Sequence, residues 1–175
     1  MAVVGAGGIG FDVSDFLTTE GESTTENLSE WLEEWGVTDP AEARAGLAPE
    51  GPKPEPSPRE VWLLQRKAER PGKRLGKTTG WIHRSTLQMR GVTMVGGVSY
   101  EKIDKDGLHI LKGDEPQVLP CDTVVLCAGQ LPDRSLAEAL EAAGRSVHVI
   151  GGADVAAELD AKRAIEQGAR LAAGL

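Results

Sequence analysis

Met1-Ala2-Val3-Val4-Gly5-Ala6-Gly7-Gly8-Ile9-Gly10 is a short apolar run that leads straight into G-x-G-x-x-G. This is the sequence form of a strand, a tight turn and a helix N-terminus. Gly5 permits the turn, Gly7 lets the backbone approach a pyrophosphate, and Gly10 lets the helix pack close to the strand. The helix start adds free N–H groups and a partial positive charge, so phosphates are expected over Gly7, Gly8 and Ile9. Phe11-Asp12-Val13-Ser14-Asp15-Phe16-Leu17 then reads as the helix itself. The stretch predicts a Rossmann-like α/β domain and a dinucleotide ligand.

The composition fits that reading. At 175 residues the chain has room for one sizeable domain, or one domain and a piece of another. Hydrophobic content of 40% and charged content of 26% are those of a soluble globular protein. A net charge of -8 argues against general nucleic-acid or membrane-surface binding. Acid concentrates between Glu20 and Glu34 and in the C-terminal third, whereas Arg59 to Arg90 is locally basic and would attract an anion. No apolar run approaches the roughly 18 residues of a membrane span, and the first apolar segment is too short for a signal peptide. Cys121 and Cys127 form no C-x-x-C and cannot supply a cluster or zinc site alone, so no metal is expected in this chain. Cys127 reads as a small buried hydrophobe, and a reducing cytoplasm is the expected location.

Further along, Ser23-Thr24-Thr25-Glu26 is a capping-box pattern, and Leu28, Trp31, Leu32 and Trp35 follow at helical spacing. A helix over 25–35 is predicted, then an irregular ordered excursion from Pro40 to Pro58, the whole of 18–58 forming an insertion. The second strand is Val61 to Gln65, a helix follows over 78–90, and Val92 to Val95 is a third parallel strand. Val98 to Ile103, Gly107 to Lys112 and 116–119, separated by polar turns, predict an antiparallel β-meander. Thr123 to Cys127 reads as a strand covered on both faces, with a sharp exit at Ala128-Gly129-Gln130-Leu131-Pro132. The remainder predicts a helix over 135–143, a strand at Val147 to Ile150, a turn at Gly151 to Asp154 and an amphipathic helix over 155–174. That last strand has no obvious partners here, and no lead precedes the first strand. Both features predict a portion of a longer polypeptide.

The end of the second strand bears on the choice of nucleotide. An NAD-binding version of this motif places Asp or Glu there for the ribose 2′-OH, about 20 residues after the glycines. Arg66 and Lys67 stand there instead, displaced by the insertion. Two cations suit a 2′-phosphate, hence NADPH; the plain alternative is two solvated charges at a strand end. Lys73, Arg74 and Lys77 either extend this patch toward the phosphates or are solvated loop charges. His83, beside Arg84, reads as a hydrogen-bonded structural residue rather than an acid–base group. No catalytic side chain is assigned.

Ala2 to Gly10, Gly21 to Thr24, Leu64 to Lys67, Gly76-Lys77-Thr78-Thr79-Gly80-Trp81-Ile82-His83-Arg84 and Gly151 to Val155 together resemble the bacterial NADPH-dependent 2,4-dienoyl-CoA reductases. This family is allied to trimethylamine dehydrogenase and joins a TIM barrel to a two-domain module like that of glutathione reductase. The resemblance covers essentially the whole chain and corresponds to the family's C-terminal quarter. It implies that residues 1–129 are the NADPH-binding domain and that 130–175 are the C-terminal segment of a second, FAD-binding domain. It further implies that Gly152, Asp154 and Val155 close over FAD, with Gly129 at the strand exit. Asp154 also reads as a plain helix N-cap, and both roles can coexist. The implied partners are NADPH and the rest of the same polypeptide: the FAD domain and a barrel holding FMN, a 4Fe–4S cluster and the substrate site. A standalone NADP-binding module that senses redox state or docks a partner is the alternative, as is the same module of a flavin-dependent amine dehydrogenase or enoate reductase.

Overall fold

A computed structural model of the chain describes residues 1–157 and 159–175. They form two compact units, Met1–Ala128 and Gly129–Leu175.

The first unit is built on a parallel sheet of β1 (Ala2–Val4), β2 (Trp62–Gln65), β3 (Thr93–Gly96) and β7 (Val124–Leu126), in the order β3-β2-β1-β7. Val3 lies between Leu63 and Val125, and Leu64 pairs with Val95. Parallel neighbours need crossovers. Helix α1 (Gly8–Thr18) begins the first and α3 (Gly80–Met89) makes the second.

Side-chain alternation along β1 and β2 decides what covers each face. Val3 and Leu63 face the helices, in a core with Phe11, Leu87 and Val92. Ala2, Val4 and Leu64 point the other way, onto Val98, Leu108, Ile110 and Leu119 of an antiparallel meander. That meander is β4 (Val98–Asp104), β5 (Gly107–Lys112) and β6 (Glu115–Leu119). The result is the expected three-layer Rossmann-like α/β arrangement of helices, parallel sheet and β-meander. Burying side chains such as Phe11, Leu63, Leu64 and Leu87 contributes roughly 1.5–3 kcal/mol each. The buried hydroxyls on α1 are satisfied within the helix, Ser14 donating to the Gly10 carbonyl (2.7 Å) and Thr18 to that of Ser14 (2.9 Å).

Several local expectations need correction. The capping box does not start the inserted helix: Ser23 accepts from the Thr25 amide of a 3-10 turn, Thr24–Glu26. Helix α2 (Leu28–Trp35) is capped by Asn27, whose side chain accepts from the Ser29 amide at 3.1 Å. Asn27 wins because the 3-10 turn has already consumed Ser23. The Pro-rich segment is an excursion tied to α2 by Ala48 N–H to Gly36 (2.9 Å) and Lys53 N–H to Glu34 (3.1 Å). Strand β7 is a sheet edge rather than a strand covered on both faces: Leu126 is 73% exposed. Cys127 is only half-buried.

In the second unit α4 (Ser135–Ala142) matches expectation, but Val147 to Ile150 is not a strand, having no partner strand among the described residues. The last helix, α5 (Ala161–Gly174), starts later than predicted. Asp160 caps it, accepting from the Arg163 amide at 2.7 Å, so Asp154 is not its N-cap. Position 158, inside the predicted helix, lies outside the described residues.

Candidate functional site

The parallel sheet presents the carboxyl ends of β1 and β2 side by side, the edge where open α/β sheets take their ligands. The Gly5 amide donates to Leu64 (2.8 Å) and the Cys127 amide to Val4 (2.7 Å), pinning the turn to both neighbouring strands. Gly5 has φ +113°, and a Cβ there would strike the Cys127 carbonyl. A Cβ on Gly10 would collide with the Gly5 carbonyl and crowd Leu63. These two glycines are required by the protein itself. Gly7 and Gly8 differ, since a Cβ on either would meet nothing within 4 Å. Gly7 is the N-cap of α1, supplies no side-chain cap, and no acid stands in the first turn. The leading N–H groups of the helix therefore have no intrahelical acceptor and no competing carboxylate, which suits an anion. Ile9 is half exposed beside them.

Arg66 and Lys67 directly follow β2 at this same edge, and both are exposed. Neither pairs with a carboxylate among the described residues. Their backbone is nevertheless held: the Lys67 carbonyl accepts from the Gln65 side chain (3.0 Å) and from the Gly97 amide (2.9 Å). Arg66 lies close enough to Tyr100 on β4 to oppose the upward push that burial gives its hydroxyl pKa. Lys73 and Arg74, by contrast, are engaged by Glu69 at 3.5 and 2.9 Å. Burial pushes the Glu69 carboxyl up, but those two cations outweigh it and hold the pKa below its ordinary value. Lys77 is exposed in the loop before α3. Arg84 donates to the Gly72 carbonyl at 2.8 Å, a structural bond, and His83 is exposed.

The candidate flavin-facing residues belong to the second unit. Gly151–Ala153 is a single 3-10 turn, and Gly151 has φ +62°. The turn is held by side chains. Gln167 accepts from the Gly151 amide (2.8 Å) and donates to the Asp154 carboxylate (2.9 Å). Arg134 donates to the carbonyls of Ala153 (3.0 Å) and Asp154 (2.7 Å) and forms an ion pair with the Asp154 carboxylate at 3.7 Å. A Cβ on Gly152 would come 3.1 Å from Leu159. Val155 and Gly129 are exposed.

Residues 1–164 match the family model described as pyridine nucleotide-disulphide oxidoreductase. The chain belongs to that family. Among solved structures it is similar to 2-naphthoyl-CoA reductase in complex with 2-naphthoyl-CoA, with a TM-score of 0.61 and 18% identity over 95% of this chain. It is also similar to histamine dehydrogenase from Rhizobium sp. 4-9, with a TM-score of 0.63 and 16% identity over 98% of this chain. At such identities the likeness is one of fold. The chain spans only 20% and 22% of those two proteins.

Within this pyridine nucleotide-disulphide oxidoreductase fold lies a feature that sequence reasoning missed. Arg90, at the end of α3, bonds Asp15 (2.7 Å) and Thr19 of α1 and its C-cap, and Glu34 of α2 (3.1 Å). Glu34 is buried and also accepts from Thr24 at 2.5 Å. The partners are 75, 71 and 56 residues from Arg90, so no local pattern could have announced them. Beside this network is a groove of about 350 Å³, between the inserted helix, the C-terminal end of α1 and the side of α3 that carries Ile82 and Thr86. No group of His, Cys, Asp and Glu among the described residues is arranged to hold a metal, and no helix is long and apolar enough to cross a membrane.

Proposed function

We propose that this chain is the NADPH-binding domain, with a C-terminal piece of the FAD-binding domain, of a cytoplasmic flavin-dependent 2,4-dienoyl-CoA reductase. The observation that carries the reading is a division of labour at one sheet edge. Gly7 and Gly8 leave open space over unpaired helix N–H groups, and Arg66 and Lys67, at the end of the adjacent strand, meet no carboxylate among the described residues. The first pair suits the pyrophosphate and the second a 2′-phosphate. The specific run from Gly76 to Arg84 supports the dienoyl-CoA branch, with Lys77 supplying a further cation near the phosphates.

Bound together, the cofactors would supply hydride delivery from the nicotinamide to FAD, with electrons passing on to FMN and a 4Fe–4S cluster in a barrel where the substrate is reduced. The residues of this chain bind and orient. The amides after Gly7 hold the pyrophosphate by charge-assisted hydrogen bonds, and Arg66 and Lys67 select the phosphorylated ribose. Gly129, Gly152, Asp154 and Val155 contact the flavin nucleotide, Gln167 and Arg134 keeping Asp154 in position. No side chain of this chain moves a proton in the hydride step.

Titration of the protein with NADPH and NADH, followed by its tryptophan fluorescence, tests the reading. Wild type is expected to bind NADPH at least about tenfold more tightly, and Arg66→Ala to lose that preference, as the removal of a charged hydrogen bond implies. Equal affinity of wild type for both cofactors would overturn the 2′-phosphate assignment.

A further inference from the structure

We propose that the insertion, residues 18–60, is a docking surface for a basic segment of a partner protein. One Arg or Lys side chain of that segment is received by the groove beside Trp31 and Trp35. The proposal is independent of the NADPH reading, because it uses the opposite end of α1 from Gly7 and Gly8 and none of the residues assigned to the nucleotide.

The distribution of charge carries the argument first. Residues 18–60 hold eleven of the chain's 27 acidic residues and only three of its 19 basic ones. The excess of eight acids equals the net charge of the whole chain, so the remainder is balanced. Little of this acid is neutralised within the fold. Glu34 is satisfied by Arg90 and Thr24, and Glu33 pairs with Lys53 at 3.1 Å. Arg59 is engaged by the Leu17 carbonyl at 3.1 Å. Glu22 and Glu55, both lining the groove, have no cationic partner among the described residues.

The groove adds an apolar seat. Trp31 and Trp35 line it with ring centroids 6.2 Å apart and planes inclined at 34°, and Ile82 of α3 lies opposite. Leu28, one turn before Trp31 and Leu32, is 71% exposed. The lining carries the carboxylates of Asp15, Glu22, Glu34 and Glu55 against one cation, Arg90, which Asp15 and Glu34 already engage; indole rings beside this excess of acid favour a guanidinium or ammonium group. The volume of about 350 Å³ is large enough to admit a long side chain. The acidic surface runs well past it, through Glu26 of the 3-10 turn and Glu30 on α2 to Glu42 and Glu50 in the excursion. A small amine would touch the groove and leave that surface unused, whereas an extended basic segment complements both.

The test uses the full chain and a fluorescein-labelled peptide of six Arg-Ser-Gly repeats, read by anisotropy. The same peptide with citrulline for arginine, and arginine amide, are the controls. The arginine peptide is expected to bind and the citrulline peptide not. The Glu22→Gln/Glu55→Gln double variant is expected to bind about tenfold more weakly. Neither carboxylate holds the fold together, so this variant should retain the wild-type circular dichroism spectrum. Glu138→Gln/Glu141→Gln on α4 removes the same charge elsewhere and is expected to bind within about twofold of wild type. Equal weakening by both double variants would mean diffuse attraction and overturn the proposal. So would arginine amide binding as tightly as the peptide, or an arginine peptide that fails to bind.

Discussion

The glycine-containing turns at Gly5–Gly10 and at Gly151–Asp154 are built by opposite means. The turn from Gly5 to Gly10 is held by main chain and close packing: sheet amides fix it on both sides, and two of its glycines are dictated by carbonyl oxygens a Cβ would strike. The turn from Gly151 to Asp154 has no strand of its own unit beside it among the described residues. Its amide and carboxylate are held by Gln167 and Arg134, and a Cβ on Gly151 would meet only Ala164, at 3.9 Å. Packing makes the first turn intolerant of bulk, and side-chain bonds make the second intolerant of losing a partner.

The largest expected effect follows from the packed turn. Gly10→Ala forces a methyl onto the Gly5 carbonyl, which β1 and β2 prevent from moving. A loss of about 3 kcal/mol, the upper end for overpacking, is expected in denaturant unfolding. Wild-type stability in this variant would show that the turn yields, and the contrast with the second turn would fail. The matched change there, Gly152→Ala, presses only on the end of the Leu159 side chain and is expected to cost well under half as much.

The clamped turn is challenged through its clamp. Gln167→Leu keeps the volume but leaves the buried Gly151 amide without an acceptor and Asp154 with Arg134 alone. An unsatisfied buried donor costs about 2 kcal/mol. The readout is amide hydrogen exchange at Gly151 to Val155, which is expected to accelerate by more than about tenfold. Unchanged exchange would mean that the backbone holds itself.

The same contrast explains what could be read from the residues alone. The first strand, turn and helix were legible because every cause is local: an apolar run, glycines at fixed spacing, and alternation along β1 and β2 that assigns Val3 to one core and Val4 to the other. The second unit was misread where causes are not local. Val147 to Ile150 has strand composition, but a strand needs a neighbour to bond. The amphipathic pattern carries back past Asp160, yet that carboxylate takes the Arg163 amide and starts the helix there. Among candidate site residues, the position of Arg66 and Lys67 beside the glycine turn could be read because parallel pairing brings consecutive strand ends together. The Arg90–Glu34 pair could not, since only the insertion's packing brings its members within reach.

A smaller effect on stability separates the reasons for the glycines within the first turn. Gly7 caps α1 with φ -85° and ψ -172°, a conformation alanine adopts, and a Cβ there would meet nothing. Gly7→Ala should cost at most about 1 kcal/mol, as alanine caps helices poorly. If the open space is for a phosphate, NADPH titration should nevertheless show about tenfold weaker binding. Binding at wild-type strength would mean that no ligand imposes the glycine at position 7.

A third turn, between β4 and β5, extends the comparison to one held by charge. Asp104 accepts from the Asp106 amide (3.0 Å) and from His109 (2.9 Å), and pairs with Lys102 at 2.7 Å. Lys102 above all, then His109 and the Asp106 amide, holds its carboxyl well below the usual carboxylate range. A depressed native pKa contributes stability above the unfolded value of about 3.9 and loses it as pH falls below that value. Wild type should therefore melt at progressively lower temperature from about pH 4 downward. Asp104→Asn keeps an oxygen for the Asp106 amide but no titrating charge, so it should start slightly less stable at pH 7 and lose less on acidification. The group faces water, which screens the pair and makes this the smallest of the four effects. Melting temperatures of both proteins at pH 7, 4 and 3 decide it: parallel acid limbs would mean that the turn, like the one at Gly5, is held by its backbone.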